Sequence, residues 1–398
     1  MTTLSDLTLE LRSDERVRFG VGAIEMLPEL VASAAGPGGG RAFIVTDPGV
    51  VASGVIDRVR GVLADAGVAD GLYAEVEANP GSASVLRGSV ALAEFGAAGT
   101  VVVAVGGGSS IDSAKAISLH AANGGDVLAL GYHREDVAPG RPLVAIPTTA
   151  GTGAETNTYG VITDDSVVRK GYVGHPSLRP VWTILDPNLT LGLPPGPTAA
   201  TGVDAMTHAI ESLLSRRPNP FAEALALQVI RTVATWLPRA VADGSDLEAR
   251  SQLLMASHLA GIGQASGTGT GMVHAVGHAI GTRGRLPHGT ALAVVLPEVL
   301  AFYAAEPGLR DRELKLIGVA LGAASPTETD ATGAVAAIGA LRMLLVGLGQ
   351  RPRLRALGFD EAALDVLATD AIEDAAIDNS PRAASLADVR AILGSVLG

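Results

Sequence analysis

Five side chains in the second half of the chain could share one divalent cation. Asp204 and His208 stand four residues apart, as do His274 and His278, and His288 follows soon after. Four-residue spacing places both members of each pair on one face of a helix. A carboxylate with several imidazoles is a ligand set for zinc or iron. The chain has only eight histidines and four fall in this pattern, which weighs against a separate local role for each ring. Asp204 lies among small and apolar residues, where an unpaired charge is costly. Taken singly, it also reads as an acid favoured by a helix dipole, with His208 a core histidine one turn on. No His-Glu-x-x-His run is present, which counts against metalloprotease-type hydrolysis.

A second kind of chemistry is written upstream. The apolar run Val101–Val105 leads into Gly106, Gly107, Gly108, Ser109 and Ser110. Strand, glycine turn and helix N-terminus together suit a pyrophosphate, because glycines allow close backbone approach and the first helical N–H groups carry positive partial charge. Ser109 and Asp112 have the spacing of a capping box with Asp at N3. The same turn also serves simply as a well-capped helix in an α/β sheet, and three glycines alone do not separate the two readings. The pattern matches neither the P-loop nor G-x-G-x-x-G, so a standard Rossmann order is not expected. Asp47, at the end of the run from Arg41 to Thr46, could accept hydrogen bonds from a ribose and repel a 2′-phosphate, favouring NAD over NADP. It reads equally as a turn aspartate before a proline. Thr148, Thr149 and Thr152 form a further hydroxyl- and glycine-rich loop after another buried run. A metal and a dinucleotide together suggest hydride transfer at an alcohol carbon.

These groups need a scaffold. The first half alternates apolar runs near 41–46, 71–76, 100–105, 142–146 and 181–185 with helical stretches at 54–66, 82–95 and 110–121. That alternation predicts a parallel sheet with helices on both sides. Residues 161–163 and 167–173 flank Asp164, Asp165 and Ser166 as a hairpin. The proline-dense stretch from Leu193 to Pro197 marks a boundary, giving an α/β domain over 1–195 and an all-helical domain over 196–398. Helical periodicity covers 198–215, 220–237, 247–264, 271–281 and 290–303, with His288 in a turn. The last hundred residues show no chemical motif.

Composition narrows the classes. At 398 residues, two domains are the default. With 47% hydrophobic and 18% charged residues the chain is that of a folded protein. A net charge of −12 argues against a nucleic-acid partner. No uninterrupted apolar run reaches membrane-spanning length, and the first residues lack a secretory pattern, so no membrane partner and a cytoplasmic location are expected. There is no cysteine, which removes disulfides, thiol nucleophiles and thiolate ligands together.

Taken together, the motifs resemble the iron-containing (group III) alcohol dehydrogenase family. The matching pieces are 106–115, 147–155, 186–190, 201–211, His274 with His278, and 286–289, within a resemblance running from about Phe19 to Phe302 in the family's order. It implies an α/β N-terminal domain with a Rossmann-like parallel sheet, an all-α C-terminal domain, a dehydroquinate synthase-like architecture and a cleft between the domains. By resemblance, Asp204, His208, His274 and His288 are the metal ligands and His278 is a proton relay near the substrate. The turn from Gly106 to Ser110 holds pyrophosphate, and Asp47, Asn79, Thr148, Thr149, Thr152 and Lys170 align with cofactor-contacting positions. Tyr159 departs from the asparagine that some relatives place there. The implied cofactors are NAD and one divalent metal, Fe(II) first, with Zn(II) or Mn(II) as alternatives. The implied reaction is oxidation of a small primary alcohol or diol, or reduction of the aldehyde, by a homodimer or larger homo-oligomer. Rival readings are a glycerol dehydrogenase-like or hydroxyacid-oxoacid transhydrogenase-like enzyme of the same fold, a dehydroquinate synthase-like lyase, which would want a basic pocket not seen near the histidines, and a non-catalytic NAD-binding protein.

Overall fold

A computed structural model describes residues 16–398 apart from 39, 97, 132, 133, 135 and 165–168. The chain divides into two compact units that meet in sequence at Leu193 and Pro194.

In the first unit the elements are β1 (Val17–Phe19), α1 (Leu27–Ala35), β2 (Arg41–Val45), α2 (Pro48–Ala52), α3 (Val55–Asp65), β3 (Asp70–Tyr73) and α4 (Ser82–Phe95). They continue with β4 (Thr100–Gly106), α5 (Gly108–Asn123), β5 (Leu143–Pro147), β6 (Tyr159–Asp164), β7 (Arg169–Gly174) and β8 (Trp182–Leu185). Six strands form one sheet in the order β1-β8-β5-β4-β2-β3, and every pairing in it is parallel. The buried face-to-face alternation along β4 shows why. Val102 and Ala104 pack with Val85 and Leu92 of α4 and Ile111 and Ile117 of α5. Val101, Val103 and Val105 pack with Leu27 and Leu30 of α1 and Ile56 and Val59 of α3. A strand apolar on both faces has helices to bury against on both sides. The edge strand β1 carries no signal that the periodicity could register, being three residues long.

β6 and β7 form a separate antiparallel pair. Of the turn that the sequence places at 164–166, Asp164 ends β6, while 165 and 166, with 167 and 168, lie outside the described residues.

The chain order reverses beside β2: β3 lies on one side of it and β4 on the other. Ligands of open parallel sheets bind beyond the strand C-termini at such a switch point. Asp47 follows β2, the glycine turn follows β4 and Thr148 follows β5, so the three loops leave adjacent strands in the same direction.

The second unit consists of α6 (Pro195–Leu214), α7 (Pro220–Ala242), α8 (Leu247–Gly263), α9 (Met272–Gly284), α10 (His288–Ala304), α11 (Asp311–Ala320), α12 (Asp330–Gly347), α13 (Ala363–Ile372) and α14 (Leu386–Ser395). No strand occurs among its described residues. α10 packs on both α6 and α9. α12 is long and apolar enough to span a membrane by length and composition, although Asp330 and Arg342 interrupt its apolar run. It packs on α10 and α11.

Candidate metal and cofactor sites

α6 brings Asp204 and His208 to the interior of the helical unit, where they are 2% and 6% exposed. α9 supplies His274, 2% exposed. His288 is not in a turn, as the sequence suggested, but is the first residue of α10. What brings it there is the contact of α10 with α6 at Gly289. A Cβ on Gly289 would lie 1.8 Å from the carbonyl oxygen of Ala200, one turn before Asp204. Gly289→Ala must therefore push the two helices apart. It is expected to cost about 3 kcal/mol of stability and to lower metal content, measured by chemical denaturation and by metal analysis of the purified variant.

The imidazoles converge on one oxygen. Asp204 Oδ1 is 3.6 Å from His208 Nε2, 3.7 Å from His274 Nε2 and 3.5 Å from His288 Nε2. Those separations are too long for good hydrogen bonds. They are close to the roughly 3.4 Å edge of a tetrahedron built from metal–ligand bonds of about 2.1 Å. Asp204 Oδ1 and His274 Nε2 are buried without a hydrogen-bond partner, an expensive state unless a cation satisfies both. Asp204, His274 and His288 offer ligand atoms within 4.8 Å of one another. The residues present fit a dication with nitrogen and oxygen ligands, and the donor set does not choose among Fe(II), Zn(II) and Mn(II).

The supporting shell was not visible in the sequence. Glu211, two helical turns beyond Asp204 on α6, accepts from the backbone N–H groups of Gly271 at 2.9 Å, Val273 at 2.7 Å and His274 at 3.3 Å. Its other contact is His274 Nδ1 at 2.5 Å. A carboxylate is favoured at a helix N-terminus, and here it also turns Nε2 of His274 toward Asp204. Burial opposes ionisation of both acids. The facing histidines, His208 and His288 first, nevertheless hold Asp204 well below the usual carboxylate range, and His274 holds Glu211 down. Burial works against a charged His274, but Glu211 and Asp204 outweigh it and raise the ring to about 9. Burial drives His288 well below 6.5.

His278 lies one turn beyond His274, with its ring edge-on to His274 at 5.8 Å and stacked on His288 at 5.3 Å. Its Nδ1 is 2.7 Å from Asp374 Oδ2. Burial raises Asp374, but the bond to His278 more than compensates, and the carboxyl is lowered. Asp374 caps the short helical turn Ala375–Asn379, which Asn379 anchors to Thr268 and Thr270. The last hundred residues therefore do carry a functional candidate. Its partner is 96 residues away in sequence, beyond any local pattern.

In the first unit the glycine turn and the hydroxyl loop meet. Thr148 N–H donates to Gly106 O at 3.0 Å. Gly107 faces Thr149, and Gly108 faces Thr152 so closely that a Cβ would come within 2.8 Å of its methyl group. Gly106 has φ +145°, and a side chain there would collide with Ser110 Oγ at 2.4 Å. Ser110 donates to Asp47 Oδ2 at 2.8 Å, while Asp47 Oδ1 caps α2 by accepting from Val50 N–H at 3.0 Å. The turn-aspartate reading of Asp47 is thus realised, with one oxygen drawn across the switch point to the glycine turn. The capping box is not: α5 begins at Gly108, its N-cap is Gly107 with no side-chain cap, and Ser109 lies inside the first turn. Backbone N–H groups there are left to other acceptors. Asn79 and Lys170 come together, with Lys170 Nζ donating to Asn79 Oδ1 at 2.7 Å. Asn79 takes a left-handed φ of +54°. Tyr159 opens β6 and packs edge-on against Tyr172 at 5.7 Å. Lys115 of α5, the last residue of the 106–115 motif, is buried, and its Nζ donates to Asn157 Oδ1 at 2.6 Å.

A doubly wound parallel sheet with a glycine turn at its switch point, followed by a helical unit with a carboxylate–imidazole cluster, defines a dinucleotide- and metal-type oxidoreductase. The chain belongs to the iron-containing alcohol dehydrogenase family: residues 14–187 match the model described as "Iron-containing alcohol dehydrogenase" and 198–397 the "Fe-containing alcohol dehydrogenase family, C-terminal". It is 34% identical over 360 residues to an NAD-dependent methanol dehydrogenase of Bacillus methanolicus, covering 90% of this chain and 93% of that one. It is 35% identical over 378 residues to a 1,3-propanediol dehydrogenase of Klebsiella pneumoniae, covering 94% and 95%. A crystal structure of a 1,3-propanediol oxidoreductase superposes with a TM-score of 0.92 at 32% identity, covering 98% of this chain and all of that one.

Proposed function

We propose that the protein is an NAD-linked, metal-dependent dehydrogenase of small primary alcohols or diols, reducing the aldehydes in the reverse direction. The observation that carries the reading is the convergence of three imidazole nitrogens on Asp204 Oδ1 at 3.5–3.7 Å in a chain of this family. Asp204, His208, His274 and His288 would hold the dication. When bound, the metal supplies an electrophile that makes a hydroxyl more acidic, and the nicotinamide supplies the hydride acceptor.

The chain's own groups do the rest. Glu211 fixes the orientation of His274. Asp374, ionised, accepts from Nδ1–H of His278, which leaves Nε2 of that ring as the proton acceptor. His278 Nε2 takes the hydroxyl proton as the alcohol is oxidised and returns it when the aldehyde is reduced. The glycine turn offers the N–H groups that open α5 to pyrophosphate, with Asp47, Ser109, Ser110, Asp112, Thr148, Thr149 and Thr152 around it and Asn79 and Lys170 as a second polar pair. Asp47 supports NAD over NADP. A cytoplasmic enzyme acting as a homodimer or larger assembly is the corresponding reading of location and partners; the location follows the sequence and the assembly follows the family.

The test is an NAD-reduction screen over primary alcohols and diols, with protein reconstituted with Fe(II), Zn(II) or Mn(II). Metal-dependent formation of free NADH is expected. If no metal gives NADH, and hydride instead passes from an alcohol to a second added carbonyl through retained cofactor, the transhydrogenase-like reading replaces this one.

A further inference from the structure

The helical unit holds a groove of about 540 Å³ lined by three guanidinium groups. Arg342 comes from α12, and Arg351 and Arg353 follow that helix. Glu298 of α10, its side chain only 9% exposed, accepts from Arg342 Nη2 at 2.7 Å and from Arg351 Nη2. One carboxylate thus fixes two guanidinium groups and cancels one of their charges. Arg353 Nη1 donates to Ser395 O at 3.1 Å, at the end of α14. The other acid in the groove, Asp388, is engaged in capping α14: its Oδ2 accepts from Ser385 N–H at 2.9 Å and Ser385 Oγ at 2.6 Å. Arg382, above the ring of Phe302, is paired with Glu306 at 3.1 Å and adds no net charge. Three cations against two acids leave the groove positive, in a chain whose net charge is −12.

The cations have donors to spare. A guanidinium carries five N–H groups, and Glu298 takes one from each of two. Arg342 Nε is buried with no hydrogen-bond partner, while the Arg342 side chain as a whole is 43% exposed. Planar forks held in place by an ion pair match the geometry of a phosphate or carboxylate. Exposed ion pairs contribute little to stability, so tying α10, α12 and α14 together is a weak reason for three arginines at one place. Ala301 of α10 and Ala391 and Ile392 of α14 give the groove an apolar side. Its volume lies in the range of small-molecule sites.

We propose that this groove binds a small organic oxyanion, with a phosphate or carboxylate head on Arg342, Arg351 and Arg353 and an apolar body against Ala301, Ala391 and Ile392. Glu298 stands ten residues beyond His288 on α10, about 15 Å along the helix. The site is therefore separate from the metal ligands and does not depend on the proposed reaction.

Calorimetric titration of the metal-loaded, NADH-saturated protein tests it, since metal and cofactor then fill the other places where an anion could bind. The probes are phenyl phosphate, benzoate and inorganic phosphate. At least one organic probe is expected to bind once per chain with a Kd below about 1 mM, more tightly than inorganic phosphate; the tighter of the two identifies the head as phosphate or carboxylate. Arg353→Glu reverses an exposed charge, and Arg342→Gln removes one fork. Each should weaken binding about tenfold or more and leave metal content within about twofold of the wild type. Added salt should weaken wild-type binding as well. No binding of either organic probe below about 1 mM, or a Kd unchanged in both variants, overturns the proposal. Inorganic phosphate binding as tightly as phenyl phosphate overturns the assignment of an organic ligand. One variant that folds is enough to decide; failure of both to fold makes the arginines structural ties and overturns the site. If the wild type binds no NADH, comparing the variants with it still isolates the groove.

Discussion

His274→Ala is expected to strip the protein of its dication and its turnover in one step. His274 is the most enclosed of the three imidazoles, and its Nε2 has no hydrogen-bond partner. Changes in the outer shell of a metal site typically cost 10–100-fold in affinity; loss of a direct ligand should exceed about 100-fold, leaving no stoichiometric metal after gel filtration. Elemental analysis and the NAD-reduction assay check this together. Full activity with normal metal content would remove His274 from the ligand set. Metal uptake has a pH sign of its own. His274 sits near 9 when it carries its proton against Glu211, and a ligating imidazole must shed that proton. Metal affinity should therefore rise with pH across the neutral range.

Glu211→Ala should be the most damaging change away from the metal itself. It leaves three backbone N–H groups at the start of α9 without their acceptor and breaks the buried contact with His274 Nδ1. Breaking a buried pair of this kind costs about 3–5 kcal/mol, and the freed ring should lower metal affinity by about 10–100-fold. Denaturation midpoints and metal titration measure the two effects separately. Glu211→Gln keeps an oxygen for Val273 and His274 N–H but turns an amide toward Gly271 and His274 Nδ1, so it should retain the fold better than the metal. The linkage is explicit in the metal-free protein. His274 is raised from 6.5 to about 9, so the folded state holds the extra proton in that window. The stability contributed by the pair is complete below 6.5 and lost as pH rises through about 9. Glu211→Ala should lack that slope. Equal pH slopes in wild type and variant would place the charge of the pair elsewhere.

Much of the chemistry was legible because its periods are local. The four-residue spacing of Asp204 with His208 and of His274 with His278 dictates a shared helix face wherever those helices lie. The apolar runs near 41–46, 100–105 and 142–146 dictate buried strands, and glycines after β4 dictate a turn that a side chain would block. Where the reading failed, a local rule met a tertiary competitor. Ser109 and Asp112 have capping-box spacing, yet Ser110 is drawn to Asp47, 63 residues away, and the helix begins at Gly108 instead. His288 follows a proline and looks like a turn residue, yet packing of Gly289 on Ala200 starts α10 there.

The amino-acid order alone determined which side chains were available to a cation and a dinucleotide, and the alternation that makes a parallel sheet followed by helices. Only the folded chain decided which partners they meet: Glu211 for His274, Asp374 for His278, Ser110 for Asp47, Asn157 for Lys115. Helix and strand periods fix direction within a few residues. The pairings span 42 to 96 residues, and at that range only the packing of whole elements against each other selects a neighbour.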